Sequence, residues 1–267
     1  MAGTLVAAFE FVKYDGKDAI GYLTLARPPV NALGRQLVSE ITVAAQRANQ
    51  DVLDKRLRVL IVRGEGKHFC AGADLKERKD ISESQVESVV QGIRGAVQAI
   101  ADINVPTIAA VHGSALGGGM ELALAADLRV LSENATMGLR ETALAIIPGA
   151  GGTQRLMRLI GYARAMEWIA TAKLFNAQEC LAHGVANRVV SESELLNVTM
   201  QLAEMIAANG PLAVQAAKEA MRRGLDLSLT EGLAYELECY RRIIPTSDRR
   251  EALAAFGEKR MPDFRGE

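Results

Sequence analysis

The segment HGSALGGGMELALAAD, residues 112–127, decides the fold. It follows the apolar run TIAAV, Thr107–Val111, which is typical of a strand buried on both faces. It continues as an apolar helical pattern, and a further strand-like run, Leu128–Leu131, comes shortly after it. A strand, a glycine-rich turn, a helix and another strand in this order predict an α/β fold.

The same alternation extends toward the N-terminus. Phe9–Tyr14 and Ala19–Leu25 are strand-like runs, and the residues between them, 15–18, predict the turn of a hairpin. Apolar residues at helical spacing then predict a helix over Arg35–Leu53. Arg58–Val62 predicts a second buried strand, and one long helical stretch separates it from Thr107. Short buried strands therefore alternate with helices.

The pattern changes after about Ser191, where no further strand signal occurs. Helical periodicity continues through Leu195–Ala208, Leu212–Arg223 and Leu229–Arg242. We therefore expect two regions: residues 1–190 form the core that holds the site, and residues 191–267 form a helical C-terminal region.

Composition and charge exclude several classes of protein. The 267 residues carry a net charge of −1, so no general field attracts nucleic acid or an anionic membrane. Three widely spaced cysteines indicate a reducing compartment, and three scattered histidines predict no metal site. The N-terminus lacks the pattern of a secretory signal, and no apolar run is long enough to cross a membrane. We expect a cytoplasmic protein, or a mitochondrial matrix protein whose leader has been removed.

Two features of the segment 112–127 indicate a binding site. Glycine costs about 1 kcal/mol relative to alanine in a helix, so Gly117, Gly118 and Gly119 suggest close approach of the backbone to a bound group or tight helix packing. Glu121 is the only charge in an apolar helix, where burial would raise its pKa toward values useful in proton transfer. A structural ion pair or an exposed position is the alternative for Glu121.

A second candidate segment is HFCAGADLKE, residues 68–77. The small residues Ala71, Gly72 and Ala73 leave their N–H groups accessible, and a helix is expected to start after them. A simple loop between strand and helix would explain the same residues. Cys70 and His68 could also form a thiol nucleophile with its base, although cysteine is more commonly a small core residue.

A third segment is MGLRETALAIIPGAGGTQRL, residues 137–156. Its glycines predict a tight turn, after which Thr153 is expected to cap a helix that begins at Gln154. Glu141 alone would be explained as a surface or capping residue. The turn lacks the third glycine of a dinucleotide-binding motif, and Gly66-Lys67 lacks the upstream glycine of a phosphate-binding loop. The motifs therefore support neither NAD nor ATP as a cofactor.

The segments CAGADLKE, ALGGGMELALAAD and ETALAIIPGAGGTQRL, in this order, resemble the enoyl-CoA hydratase/isomerase family, also called crotonases. The similarity covers almost the whole chain, and Glu238–Phe264 is most similar to the methylglutaconyl-CoA hydratase group. The resemblance implies a spiral of ββα turns, followed by a helical region that mediates formation of a homotrimer, often paired into a hexamer.

The resemblance also implies roles for individual residues. The N–H groups of Ala73 and Gly118 would bind the thioester oxygen, which becomes negative during the reaction. Glu121 would deprotonate the attacking water, and Glu141 would deliver a proton to the substrate, although the two roles could be exchanged.

The same resemblance predicts how coenzyme A is held. Coenzyme A is part of the acyl-CoA substrate, so no separate cofactor is expected. Ala32, Ala71 and Asp74 would contact it, and Phe256 and Lys259 of a neighbouring subunit would lie beside its adenine and phosphates.

Three questions about function stay open at the level of sequence. The related Δ3,Δ2-enoyl-CoA isomerases usually use one acid, at the position of Glu141, so the presence of both glutamates favours hydration. The substrate would be a short or branched enoyl-CoA; 3-methylglutaconyl-CoA is a candidate, and Arg140 would be the partner for its carboxylate. RNA binding, which is described for the methylglutaconyl group, is not expected, since residues 35–53 carry only two basic side chains, Arg35 and Arg47.

Overall fold

The computed structural model describes residues 9–79 and 81–267. The expectation that no secretory signal is present concerns, in part, residues 1–8, which lie outside the described residues. The strands are β1 Val12–Lys17, β2 Ile20–Leu25, β3 Val59–Gly64, β4 Thr107–Val111, β5 Ser114–Leu116, β6 Leu128–Ser132, β7 Thr136–Gly138, β8 Phe175–Asn176 and β9 Arg188–Val190.

The α-helices follow the predicted alternation with the strands. They are α1 Arg35–Leu53, α2 Leu75–Lys79, α3 Glu83–Ala101, α4 Gly118–Ala125, α5 Gly152–Ile160, α6 Tyr162–Thr171, α7 Ala177–Ala182, α8 Leu195–Ala207, α9 Pro211–Gly224, α10 Leu229–Ile243 and α11 Ser247–Glu258. Single 3₁₀ turns cover Glu141–Leu144 and Glu192–Glu194. None of the helices described in the structure is both long and apolar enough to span a membrane.

Two sheets build the core as a spiral. The large sheet has the order β1-β2-β3-β4-β6-β9, and the small sheet has the order β5-β7-β8. Successive turns add one strand to the large sheet, a short strand to the small sheet and then a helix, as in β4, β5 and α4. Strands β2, β3, β4, β6 and β9 are parallel, as expected for strands joined through helices. This arrangement confirms the predicted α/β class and the ββα spiral.

The N-terminal hairpin is present, but its turn is not where the sequence predicted it. Residues 15–17 continue β1 and pair with β2. The chain reverses at Asp18 and Ala19, which have φ values of 53° and 65°. Two central residues with positive φ form a turn whose twist matches that of the strands, which explains the tighter connection.

The predicted single helical stretch between β3 and β4 is divided into α2 and α3. Asp74 caps α2, since its Oδ1 accepts a hydrogen bond of 2.9 Å from the N–H of Lys76. A second start signal lies at Ser82, whose N–H donates to Oε1 of Gln85 over 3.2 Å. Two successive start signals therefore produce two helices. The sequence also missed α11, which the hydroxyl of Thr246 caps.

Helices cover both faces of the large sheet. Helices α1, α3 and α4 pack in the main apolar core, together with Leu23, Leu60 and Val62. The alternate side chains of the strands, including Val59 and Ile61, pack in a second cluster against α8. Thus α8 covers the sheet, and α9 and α10 pack against each other beyond it. The division of the chain at residue 191 stays a prediction.

Candidate active site

The start of α4 places one backbone N–H donor at the wall of a large cavity. The N–H of Gly117 donates to the carbonyl of Gly138 over 2.8 Å, which anchors the turn after β5. Gly118 is then the first residue of α4, and N–H groups of a first helical turn have no partner within the helix. Gly118 lines a cavity of about 850 Å³.

Ala73 supplies a second donor beside it. The residues on either side of Ala73 form hydrogen bonds with Leu33. The N–H of Leu33 donates to the carbonyl of Gly72, and the carbonyl of Leu33 accepts from the N–H of Asp74. The N–H of Ala73 makes no hydrogen bond with any described residue. A Cβ added to Gly72 would lie 3.5 Å from the nitrogen of Gly118, and one added to Gly118 would lie 3.9 Å from that of Ala73. The two donors are therefore adjacent.

The cavity is mostly apolar. One wall is the loop Ala71–Asp74, which we call the AGAD loop, together with α2 and α3. The other wall is the start of α4 and the stretch from the 3₁₀ turn at Glu141 to Ala150. The ionisable side chains that line it are Arg78, Glu121, Arg140 and Glu141.

Glu121 lies one turn into α4 and is held by the glycine-rich turn before α5. Its Oε1 accepts hydrogen bonds of 2.7 Å from the N–H of Ala150 and 2.8 Å from the N–H of Gly152. The side chain is buried. Burial raises the pKa of this carboxyl, whereas the two N–H donors and the positive charges of Arg155 and Arg78 oppose the rise. The site therefore holds a carboxylate with donors that favour its ionised form.

The turn that holds Glu121 differs from the one that the sequence predicted. Helix α5 begins at Gly152, two residues earlier than expected, and Gly151 is its N-cap residue with a φ of 106°. Thr153 is therefore inside the first turn and does not cap the helix. The earlier start is explained by glycine at residue 151, because that backbone conformation is strained for residues with a side chain.

Glu141 has different surroundings. It is the first residue of the 3₁₀ turn, and a Cβ added to Gly117 would lie 2.9 Å from its Oε1. Its Oε2 is buried and has no hydrogen-bond partner among the described residues. Burial, together with the negative charge of Glu121, raises the pKa of Glu141 to about 7, although Arg78 and a backbone hydrogen bond oppose this. At neutral pH a substantial fraction of Glu141 is therefore protonated.

The site thus combines a buried carboxyl group whose charged form accepts two N–H groups, a carboxyl group that can hold a proton near neutral pH, and two adjacent N–H donors. Such donors stabilise an oxygen that gains negative charge, while a base and an acid together can move protons on a bound substrate. The structure brings Ala73, Gly118, Glu121 and Glu141 to one cavity.

The residues expected to contact coenzyme A are more scattered. Ala71 lines the cavity, and the carbonyl of Ala32 accepts hydrogen bonds from Arg27 and from the N–H of Gly34. The carboxylate of Asp74 pairs with Arg27 over 2.7 Å and caps α2. Its charge is therefore already balanced within the chain.

Phe256 and Lys259 do not line the cavity of their own chain. Phe256 is 86% exposed near the end of α11, and Lys259 follows that helix with a φ of 57°. Their role in a neighbouring subunit stays a prediction.

The thiol hypothesis is wrong. Cys70 is fully buried, and its Sγ donates to the carbonyl of Asn31 over 3.0 Å. Burial raises the pKa of this thiol to about 12, so it is not a nucleophile at neutral pH. Nδ1 of His68 accepts a hydrogen bond from the N–H of Ser114, which is a structural role.

Two contributions to the site were missed at the level of sequence. The turn at residues 148–152 was predicted to be tight, but nothing local indicated that its N–H groups bind Glu121, which lies 29 and 31 residues earlier. Arg78 was not predicted as a site residue. It lies four residues after Asp74 on the short helix α2, and residues at this spacing lie on the same face of a helix. Arg140, which was singled out, lines the cavity and is exposed.

The chain was compared with known proteins. A family model described as enoyl-CoA hydratase/isomerase matches residues 15–267. The bovine mitochondrial enoyl-CoA hydratase domain-containing protein 2 is 45% identical over 256 residues, which are 94% of this chain and 86% of the relative. Human mitochondrial methylglutaconyl-CoA hydratase is 45% identical over 242 residues, which are 89% of this chain and 70% of the relative.

A solved structure shows the same fold. The crystal structure of enoyl-CoA hydratase from Bacillus anthracis has a TM-score of 0.93 and 43% sequence identity, and the match covers 97% of this chain and 100% of that chain. The family model, the relatives and this structural match all cover most of the chain. The chain belongs to the enoyl-CoA hydratase/isomerase family.

Proposed function

We propose that this enzyme is a hydratase that adds water across the 2,3 double bond of a short or branched enoyl-CoA. The observation that carries the proposal is the pairing of two glutamates with different hydrogen-bond surroundings beside two adjacent N–H donors. Glu121 accepts two N–H groups, whereas Oε2 of Glu141 has no partner among the described residues.

In the proposed reaction, the thioester oxygen accepts hydrogen bonds from the N–H groups of Ala73 and Gly118. Electron density moves toward this oxygen, and C3 becomes electrophilic. Loss of one such donor typically costs about 3–4 kcal/mol of transition-state stabilisation. Glycine and alanine suit these positions because the backbone itself must reach the oxygen.

The glutamates then complete the addition. Glu121 removes a proton from a water molecule as the water oxygen bonds to C3, and the double bond breaks. Glu141 gives its proton to C2, so that the product is the 3-hydroxyacyl thioester. The two N–H donors to Glu121 and the raised pKa of Glu141 support this assignment of base and acid.

The mostly apolar cavity suits a short or branched acyl group. Because human methylglutaconyl-CoA hydratase is among the relatives, 3-methylglutaconyl-CoA is our candidate substrate. Ala32, Ala71 and Asp74 would contact coenzyme A within the chain. Phe256 and Lys259 of an adjacent subunit in a trimer or hexamer would complete its site. Several relatives are named as mitochondrial, so the mitochondrial matrix is one proposed location and the cytoplasm is the other.

The proposal is tested by the loss of the conjugated-thioester absorbance of crotonyl-CoA. We expect Glu121→Gln and Glu141→Gln each to lower kcat by about 10²–10⁴-fold, because each removes one proton-transfer group. Glu133→Gln is the matched control, since Glu133 is exposed on the loop after β6. Near-normal hydration by either cavity variant would contradict the proposal.

An isomerase would behave differently in the same variants. It would move the double bond of a 3-enoyl-CoA to the 2-position, and this activity would survive Glu121→Gln because Glu141 alone could transfer the proton. Isomerisation without hydration in the wild-type enzyme would therefore assign the isomerase activity to this site.

A further inference from the structure

Arg78 stands at the junction of two cavities. It lines the catalytic cavity, and it also lines a neighbouring groove of about 680 Å³ between α1 and α3. Among residues 9–79 and 81–267, only Ala73 and Ile93 also line both cavities. A group that extends from the reacting carbons toward the groove would therefore pass Arg78.

Among the described residues, the carboxylates nearest in sequence to Arg78 are already engaged. Asp74 pairs with Arg27 over 2.7 Å. Glu77 pairs with Arg27 over 3.3 Å, and its Oε2 accepts a hydrogen bond from the N–H of Arg35 over 3.0 Å. These bonds also fix α2 on the loop before α1. The helix that carries Arg78 is therefore held in place before a substrate arrives.

The guanidinium of Arg78 makes no salt bridge or side-chain hydrogen bond with residues 9–79 or 81–267. Its positive charge reaches both reacting glutamates, because it lowers the pKa of each. Arg140 lines the same cavity but is exposed, and it is not among the charges that shift the pKa of Glu141. Of the two arginines, Arg78 is also the one that lines the neighbouring groove.

We infer that Arg78 is a specificity-determining residue that binds a carboxylate at the far end of the acyl group. The substrate class would be a branched or unbranched enoyl thioester of a dicarboxylic acid. The inference rests on the proposed function, and it replaces Arg140, which adjacency alone suggested. An anionic group in a mostly apolar cavity needs a cationic partner, and guanidinium pairs well with carboxylate.

Binding of saturated thioesters tests this role without requiring hydration. Glutaryl-CoA and butyryl-CoA differ by one terminal carboxylate, and their binding to the wild type can be measured by calorimetry. We expect tighter binding of glutaryl-CoA, and we expect Arg78→Met to reduce this preference by about 10- to 100-fold, the range for a hydrogen bond to a charged group. Lys76→Met is the matched control, because Lys76 is exposed on the same helix. Arg78→Lys should keep part of the preference if the variant folds as the wild type does.

Three outcomes would overturn the inference. The wild type could show no preference for glutaryl-CoA. Arg78→Met could weaken both ligands equally, which would place the guanidinium at the phosphates of coenzyme A or assign it only to the glutamates. Finally, Arg140→Met rather than Arg78→Met could remove the preference.

Measurements of kcat/KM test the role of Arg78 separately from the proposed hydratase activity. The substrates 3-methylglutaconyl-CoA and 3-methylcrotonyl-CoA form a matched pair, since the second lacks only the carboxylate. We expect Arg78→Met to lower the kcat/KM ratio of the first to the second by about 10- to 100-fold. A wild type that binds glutaryl-CoA preferentially but hydrates no enoyl-CoA would contradict the hydratase and leave the role of Arg78 intact.

Discussion

At the scale of single residues, the site depends on different surroundings for two chemically identical side chains. Glu121 is more deeply buried, but two N–H groups offset the cost of its charge. Glu141 has no comparable donors, and its Oε2 is buried without a partner in the described part of the chain. In the proposed mechanism, this difference in hydrogen bonding, rather than burial alone, is the reason for assigning Glu121 as the base and Glu141 as the acid.

The pH dependence of hydration should reflect this difference. Because Glu141 must be protonated and its pKa is about 7, we expect kcat/KM to fall as pH rises above about 7, approaching tenfold per unit. At low pH the rate should fall again as Glu121 becomes protonated. The measurement is a pH profile of kcat/KM with crotonyl-CoA.

The pKa values that appear on the acidic and alkaline sides of the profile describe the two glutamates as a pair, because the charge of Glu121 raises the pKa of Glu141. Glu141→Gln should therefore remove the alkaline limb from the residual activity. A wild-type profile that stays flat from pH 6 to about 9 would show that Glu141 does not act as the acid.

At the scale of elements, two loop-to-helix connections place the N–H donors side by side. Gly72 has a φ of 93°, and a Cβ added to it would lie 2.6 Å from the carbonyl oxygen of Leu116. The same Cβ would lie 3.5 Å from the nitrogen of Gly118, in the space between the two donors. Glycine at this position therefore permits both the backbone conformation and the close approach of the AGAD loop to the start of α4.

A comparison of Gly72→Ala with Gly66→Ala distinguishes an effect on catalysis from an effect on stability. Gly66 also has positive φ, at 80°, but an added Cβ would meet no atom within 4 Å. Each variant should lose about 1–2 kcal/mol of stability from backbone strain. Gly72→Ala should lose more than Gly66→Ala, because its Cβ would also meet the carbonyl oxygen of Leu116. Only Gly72→Ala should also lower kcat by at least about 10²-fold, because it displaces a donor.

These effects are measured by denaturant unfolding and by hydration of crotonyl-CoA. Equal loss of activity in both variants would indicate that the Gly72 substitution acts through general destabilisation and not through the donors.

At the scale of the whole molecule, α10 has an exposed apolar face. Leu229, Leu233, Leu237 and Tyr240 recur at helical spacing, and Leu229 is 80% exposed. Phe256 on α11 is exposed as well, so the C-terminal helices carry several large apolar side chains at their surface. Exposed apolar faces of this kind are typical of subunit interfaces, and the trimer stays a prediction.

Light scattering coupled to gel filtration tests the predicted assembly. We expect a mass of three or six times the 28.7 kDa chain. Leu233→Glu combined with Leu237→Glu should shift the protein to smaller species, because two charges would be buried in the interface. Leu181→Glu is the control, since Leu181 is exposed on α7, which is not one of the C-terminal helices. A monomeric wild type would contradict the prediction.

Local patterns predicted those parts of the fold that local interactions determine. Helix α1 and strand β4 have the predicted bounds, because their apolar spacing and β-branched residues specify one structure. The hairpin turn and the start of α5 were misplaced. In both cases backbone conformations with positive φ moved the boundary, and the residue type alone does not reveal them.

The sequence by itself determined the family, the order of strands and helices, and the candidate residues Ala73, Gly118, Glu121 and Glu141. Only the tertiary structure decided that Ala150 and Gly152 hold Glu121, and that Oε2 of Glu141 has no partner among the described residues. It also placed Arg78 in the same cavity as both glutamates. The physical reason is that a pKa depends on burial and on donors and charges that lie far away in the chain. Those neighbours meet only when the spiral of strands and helices has closed around the cavity.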